Sequence, residues 1–220
     1  MNLSLAFAGL VATLCSHTWG ASDIEDDGED IDIREALNTT ATLWLLRQTY
    51  KNGFSLCIDN NCINEKEICI RNQKISLSDK EYHFVQKLIL DKEDITTYYK
   101  GTFNDAKKPP KSMDVSQVTS EGKTDNTGAG LRQLWTLGFW TPTSRCLVFF
   151  IAQLDNEIRD DIGTCELYTV GKPGLSDPPS DCKAFFERNC NTTTVYTPYT
   201  DDCRDISGPV DITSNTNSQS

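Results

Sequence analysis

The chain has 220 residues and a formal net charge of −11. That length is enough for one domain with a substantial core, and the acidic balance argues against nucleic acid or an anionic membrane surface as a partner. With two histidines in the whole sequence, there is little from which to build a Ser-His-Asp or Cys-His catalytic site, and no phosphate-binding glycine loop is present, so the chain is not expected to be an enzyme.

Leu3 to Cys15 is an apolar run of secretory h-region length, followed by small and polar residues. Residues 1–20 are therefore expected to be a signal peptide, cleaved before Ala21. The run falls short of the ~20 apolar residues that span a bilayer, and the expectation is a secreted, extracellular protein without a membrane or nucleic-acid partner. Export places the cysteines in an oxidising compartment. Cys15 leaves with the signal peptide. Cys57, Cys62, Cys69, Cys146, Cys165, Cys182, Cys190 and Cys203 remain, an even number that four disulfides would exhaust, although spacing alone leaves the pairing open. A zinc site on Cys57, Cys62 and Cys69 is disfavoured by loose spacing and by the single remaining histidine, His83. No metal and no cofactor are expected.

Residues 21–35 form an acidic leader: eight acids and one base, Arg34, lie between Asp23 and Glu35, which leaves only −4 for everything else. Such a run is expected to be a solvated, disordered tail. Within it, Asp32-Ile33-Arg34-Glu35 can cap a short helix whose Ile33 and Leu37 share a face. Asn38-Thr39-Thr40 is a glycosylation sequon, predicting an exposed turn.

Leu43 to Tyr50 predicts the first strand, with Trp44, Leu46, Gln48 and Tyr50 on one face by alternation. Lys51-Asn52-Gly53 predicts a turn. Phe54 to Ile58 opens a strand that Ile68 to Arg71 continues after a polar, cysteine-bearing loop. Tyr82 to Leu90, Ile95 to Phe103, a weak Met113 to Val118, Leu131 to Phe139, Cys146 to Ala152 and Thr164 to Val170 follow, with polar loops at 104–111 and 120–130. His83 lies within a strand. Short strands at this spacing predict an all-β antiparallel barrel or sandwich, and the barrel is preferred because closure removes exposed edges. Asp177-Pro178 predicts a helix start. Cys182, Phe185, Phe186 and Asn189 recur at helical spacing, so that face should pack on the barrel wall. Asn191-Thr192-Thr193 is a second sequon. Residues 204–220 are polar and expected to be disordered.

Cys146-Leu-Val-Phe-Phe150, Cys165-Glu-Leu-Tyr168, Cys182 with Phe185 and Phe186, Val195-Tyr196 and Cys203 resemble the C-terminal signature of tick salivary lipocalins, the histamine-binding-protein group. Trp44 to Asn52 is similar to that group's first barrel strand. The resemblance implies an eight-stranded antiparallel lipocalin-type barrel over residues 36–203, with a short N-terminal helix and a C-terminal helix packed on the wall. It also implies Cys57–Cys203 and Cys146–Cys182, after which Cys165–Cys190 and Cys62–Cys69 complete the set. Tyr50 matches a family pocket tyrosine, and Glu166 matches the acid of a Glu-Leu-Trp motif in which Tyr168 stands here for the Trp. Two further family acids are missing, at Gly53 and Leu137. The candidate lining is otherwise apolar: Trp44, Leu46, Phe84, Leu88, Tyr99, Trp135 and Phe139. Gln48, Tyr50, Arg47 and Arg132 are candidate polar anchors. The function implied is sequestration of a small host inflammatory mediator. That mediator would be an amine such as histamine or serotonin, or a lipid such as a leukotriene or sterol. The alternative is a lipocalin fold that binds a host protein, a complement or haemostatic factor, through its outer loops.

Overall fold

The structure is a computed structural model that describes residues 31–58, 61–123, 132–143, 145–153, 164–173 and 177–206. The expected signal peptide, most of the acidic leader and the tail beyond 206 lie outside the described residues. Eight strands close into an antiparallel barrel: β1 (Leu43–Gln48), β4 (Ile68–Leu77), β5 (Glu81–Leu90), β6 (Glu93–Phe103), β7 (Ser112–Val118), β8 (Arg132–Trp140), β9 (Cys146–Gln153) and β10 (Cys165–Val170). Consecutive strands pair as neighbours from β4 to β10, and β1 closes the circle between β10 and β4. Closure leaves no barrel edge to pair with another chain.

β2 (Gly53–Ile58) and β3 (Asn61–Lys66) do not join the barrel. They pair only with each other, as a two-stranded ribbon between β1 and β4. This corrects the expectation that Phe54–Ile58 opens a barrel strand. The polar, cysteine-bearing stretch expected as a loop is largely β3. Gly53 is needed there, because a Cβ would lie 2.1 Å from the Glu65 carbonyl oxygen.

A short helix, α1 (Ile33–Leu37), covers one end of the barrel. Asp32 caps it, accepting from the Arg34 N–H at 2.9 Å and holding the Arg34 guanidinium at 2.8 Å. Ile31, Ile33, Ala36 and Leu37 are buried against Leu43, Tyr82, Phe103 and Met113. The last residues of the acidic leader thus belong to the folded unit, which begins ahead of residue 36. Apolar burial of this kind contributes about 25 cal/mol for each Å² removed from water.

Two clusters divide the apolar residues. The barrel interior holds Leu43, Leu45, Phe84, Trp135, Leu137, Phe149 and Tyr168 with the α1 residues. The second cluster lies on the outer wall and holds Trp44, Leu46, Val148, Leu167, Phe186 and Tyr199 with six half-cystines. It packs α2 (Ser180–Asn189) against β8, β9 and β10. The helix starts later than Asp177-Pro178 predicts: Asp177 instead accepts from the Arg47 guanidinium at 2.9 Å, and Pro179 takes the cap position.

Three disulfides, Cys69–Cys203, Cys146–Cys182 and Cys165–Cys190, bind the outer cluster together. The fourth, Cys57–Cys62, crosses the ribbon. The implied Cys57–Cys203 and Cys62–Cys69 pairs are therefore corrected. Ribbon pairing sets Cys57 directly opposite Cys62, so local closure takes both thiols. The ribbon also leaves Cys69, at the head of β4, as the cysteine beside the C-terminal segment, where its N–H donates to the Pro198 carbonyl at 2.9 Å.

Candidate functional site

Two bulges decide which side chains enter the barrel. In β1 the register slips between Leu45 and Arg47: Leu45 pairs with Tyr168, Arg47 with Leu167 and Gln48 with Glu166. A bulge places two residues opposite one, so strict alternation fails across it. Trp44 and Leu46 therefore join the outer cluster. There Trp44 meets Tyr199 edge-on at 5.5 Å and lies under the Arg71 guanidinium. Arg47 also points outward, to Asp177 and Glu187. In β8 a second slip between Leu137 and Phe139 leaves Leu137 inside and turns Phe139 out, against Phe185 at 5.2 Å. Trp44, Leu46 and Phe139 are thus not interior lining. Gln48, Glu166, Tyr168 and Trp135 are brought to the interior face, and Tyr50 reaches the same carboxylate. His83 pairs with Glu81 at 3.1 Å, and Arg132 is exposed.

The site lies in the half of the barrel away from α1. Glu166 is 4 % exposed. Its Oε1 accepts from the Tyr50 hydroxyl, and its Oε2 accepts from the Tyr168 hydroxyl at 2.7 Å. Tyr168 is held in turn: its hydroxyl accepts from Asn72 Nδ2 at 3.3 Å, and Asn72 Oδ1 accepts from Gln86 Nε2 at 3.1 Å. Below this chain of polar groups lies an aromatic floor. Trp135 packs on Phe84, Phe149 and Tyr168 with centroid separations of 5.8, 5.3 and 6.1 Å, and its indole N–H donates to Gln133 at 2.9 Å.

Burial pushes the Glu166 carboxyl above its ordinary range, and the two phenol donors pull the other way. The phenols of Tyr50 and Tyr168 are pushed well up, by burial and then by the Glu166 charge. Tyr99 stacks on Phe84 at 5.3 Å, and burial raises it to about 12, with Glu166 and then Glu67 adding to the rise. Among the described residues no Lys or Arg pairs with Glu166. A buried anion satisfied by hydrogen bonds but not by charge is costly, and it favours any cation that reaches it.

Asn72, Gln86 and Glu67 are site residues that the sequence did not single out. Gln86 shares the face of Tyr82, Phe84 and Leu88 by plain alternation, so its signal was present. Asn72 lies just beyond Arg71, where the predicted strand stopped. Glu67 lies at the root of the ribbon, where Asn52 clamps it: the Glu67 N–H donates to the Asn52 carbonyl and Asn52 Nδ2 to the Glu67 carbonyl, both at 2.8 Å. The Glu67 charge is felt by both Tyr50 and Tyr99, and burial raises its own carboxyl. It is half-buried. Gly53, standing where the resembling family carries an acid, has no room for one.

Among curated proteins no match is found. A family described as tick histamine binding protein matches residues 22–205, which takes in every strand, both helices and all eight paired cysteines. The closed barrel, the wall helix and the buried acid between two tyrosines all fall inside that match, and the chain belongs to the tick histamine binding protein family.

Proposed function

We propose that the chain sequesters a small cationic amine, with Glu166 as its counter-charge and Trp135, Phe84 and Tyr99 as apolar and aromatic walls. The observation that carries this reading is the buried Glu166 carboxylate, held by two phenols and faced by no cation among the described residues. An incoming ammonium completes the pair, and ring faces nearby add cation–π attraction. Each carboxylate oxygen offers two acceptor directions. One phenol on each oxygen therefore leaves acceptor capacity for the ligand's N–H groups.

An apolar lipid is the weaker candidate. With Trp44, Leu46 and Phe139 on the outer wall, the half of the interior around Glu166 is bordered by the polar side chains of Gln48, Tyr50, Asn72 and Gln86, and a lipid would leave the buried Glu166 charge without a counter-charge. The family's name points the same way.

Four disulfides fit an extracellular setting. Asn38 and Asn191 are both exposed, which suits the proposal that the protein is secreted and carries glycans there. Titration against histamine, serotonin, a leukotriene and cholesterol, followed by tryptophan fluorescence, tests the reading. A response to the amines, through Trp135, supports it. A response to the lipids alone contradicts it.

A further inference from the structure

Gln48 is 1 % exposed and sits beside Glu166 as its direct cross-strand partner. Its backbone is fixed by two hydrogen bonds to Tyr196, at 3.0 and 2.8 Å. Its side-chain Nε2 donates to the Tyr50 carbonyl at 2.9 Å. That bond sets the amide orientation, because the flipped amide would place two acceptor oxygens together. The other amide atom, Oε1, is the one buried side-chain polar atom without a partner among the described residues. A buried acceptor left unmade is costly in a folded protein, and such an atom calls for an explanation.

We propose that Gln48 Oε1 accepts a second N–H from the bound amine, so that the site prefers amines carrying an N–H donor apart from the ammonium. This rests on the amine reading of Glu166. Directly opposed residues on antiparallel strands hold their Cβ atoms about 5 Å apart. The carboxylate and the amide oxygen therefore present two acceptors to one small molecule, the first charged and the second neutral. The charged one takes the ammonium. The neutral one takes an N–H from a ring or a second arm without requiring that it be ionised. A site that hydrogen-bonds a ligand N–H rejects the analogue lacking it, because its own acceptor is then left buried and unpaired.

The test compares two amines of one shape on the full chain. Histamine has an ethylammonium on a five-membered ring with an N–H; 2-(thiophen-2-yl)ethylamine has the same arm on a five-membered ring without one. Calorimetry on the native protein should favour histamine by roughly 5–15-fold, the worth of one hydrogen bond. In Gln48→Met, which keeps length and removes the acceptor, that advantage should vanish and the two amines should bind alike. Equal affinity of the native chain for both amines overturns the inference, and needs no variant to fold. A preference that survives intact in a folded Gln48→Met also overturns it. In both of those outcomes Glu166-dependent amine binding still stands. If neither amine binds, or if both bind undiminished to Glu166→Gln, the amine reading falls and the Gln48 inference with it.

Discussion

Glu166 and Tyr168 stand two residues apart on β10, and the Tyr168 hydroxyl donates to Glu166 Oε2 at 2.7 Å. Alternation puts both on the interior face, and Asn72, on β4 at the other side of β1, holds the same hydroxyl at 3.3 Å. One phenol thus links the buried charge to the amides of β4 and β5. Tyr168→Phe keeps the ring packing and removes only this link. It leaves Asn72 Nδ2 without its acceptor and one Glu166 oxygen without its donor. Stability should fall by about 1–3 kcal/mol, as read by urea unfolding. Loss of a donor to the anion also moves the Glu166 carboxyl further up, so amine affinity should drop more at acid pH than at neutral pH.

The pH dependence of stability follows from burial. Glu166 and Glu67 are both raised in the folded chain, each chiefly by burial. Between the ordinary carboxylate range and those raised values the folded state holds more protons than the unfolded one. Their contribution is therefore full below the ordinary range and is lost as pH rises through the folded values. Asp32 and Glu81 are lowered by their hydrogen bonds to Arg34 and His83. They act in the opposite sense and lower on the pH scale. Urea unfolding of native protein and Glu166→Gln across this range should show the native chain losing stability relative to the variant as pH rises. A relative gain would contradict the burial argument.

Bound amine should reverse that trend. A cation beside Glu166 favours the carboxylate, so binding where the group is partly protonated should release a proton. Calorimetry of histamine binding at acid pH, repeated in buffers of different ionisation heat, measures the release. Proton uptake, or none, would count against Glu166 as the counter-charge.

The two interior-facing candidates among the tryptophans separate cleanly. Trp44 packs outside, on Tyr199 and the disulfides, and Trp135 packs inside, on Tyr168. Trp44→Ala should cost about 3–5 kcal/mol of stability, as for other buried aromatics, with amine affinity unaltered in the protein that folds. Trp135→Phe should change the fluorescence response and weaken binding. Equal effects of both on affinity would contradict the placement.

The four bridges should differ in worth. In the chain-entropy account, closing the Cys57–Cys62 loop contributes about 2 kcal/mol and the Cys69–Cys203 loop about 5 kcal/mol. Paired Ser replacement at Cys57 and Cys62 should therefore be mild, and at Cys69 and Cys203 severe. Peptide mapping without reduction should recover Cys57 joined to Cys62.

Much of the barrel was legible because strand alternation is a local property. Phe84, Trp135, Glu166 and Tyr168 each read inward from their own strands, and each is inward. What failed was alternation carried across a bulge. A bulge leaves no mark in the hydrophobic pattern of β1, since Trp44, Leu45 and Leu46 are all apolar and both faces are buried. The bulge in β8 falls at Gly138, whose absent side chain admits Phe150, with a Cβ there meeting that ring at 2.4 Å. The ribbon was missed for a different reason. Its second strand, Asn61–Lys66, is short and polar, and its pairing is decided by which cysteine lies opposite which, a fact of register rather than of composition. Glu67 was missed with it, because only the closed ribbon brings that acid near Tyr50.

The central claim is that Glu166 supplies the counter-charge for a cationic ligand. Calorimetric titration of histamine into native protein and Glu166→Gln, both checked for folding by circular dichroism, tests it most directly. Breaking one buried charge pair costs about 2–5 kcal/mol, so the variant should bind roughly 30-fold to several thousandfold more weakly, with the barrel intact. Tight histamine binding that Glu166→Gln leaves untouched would contradict the account.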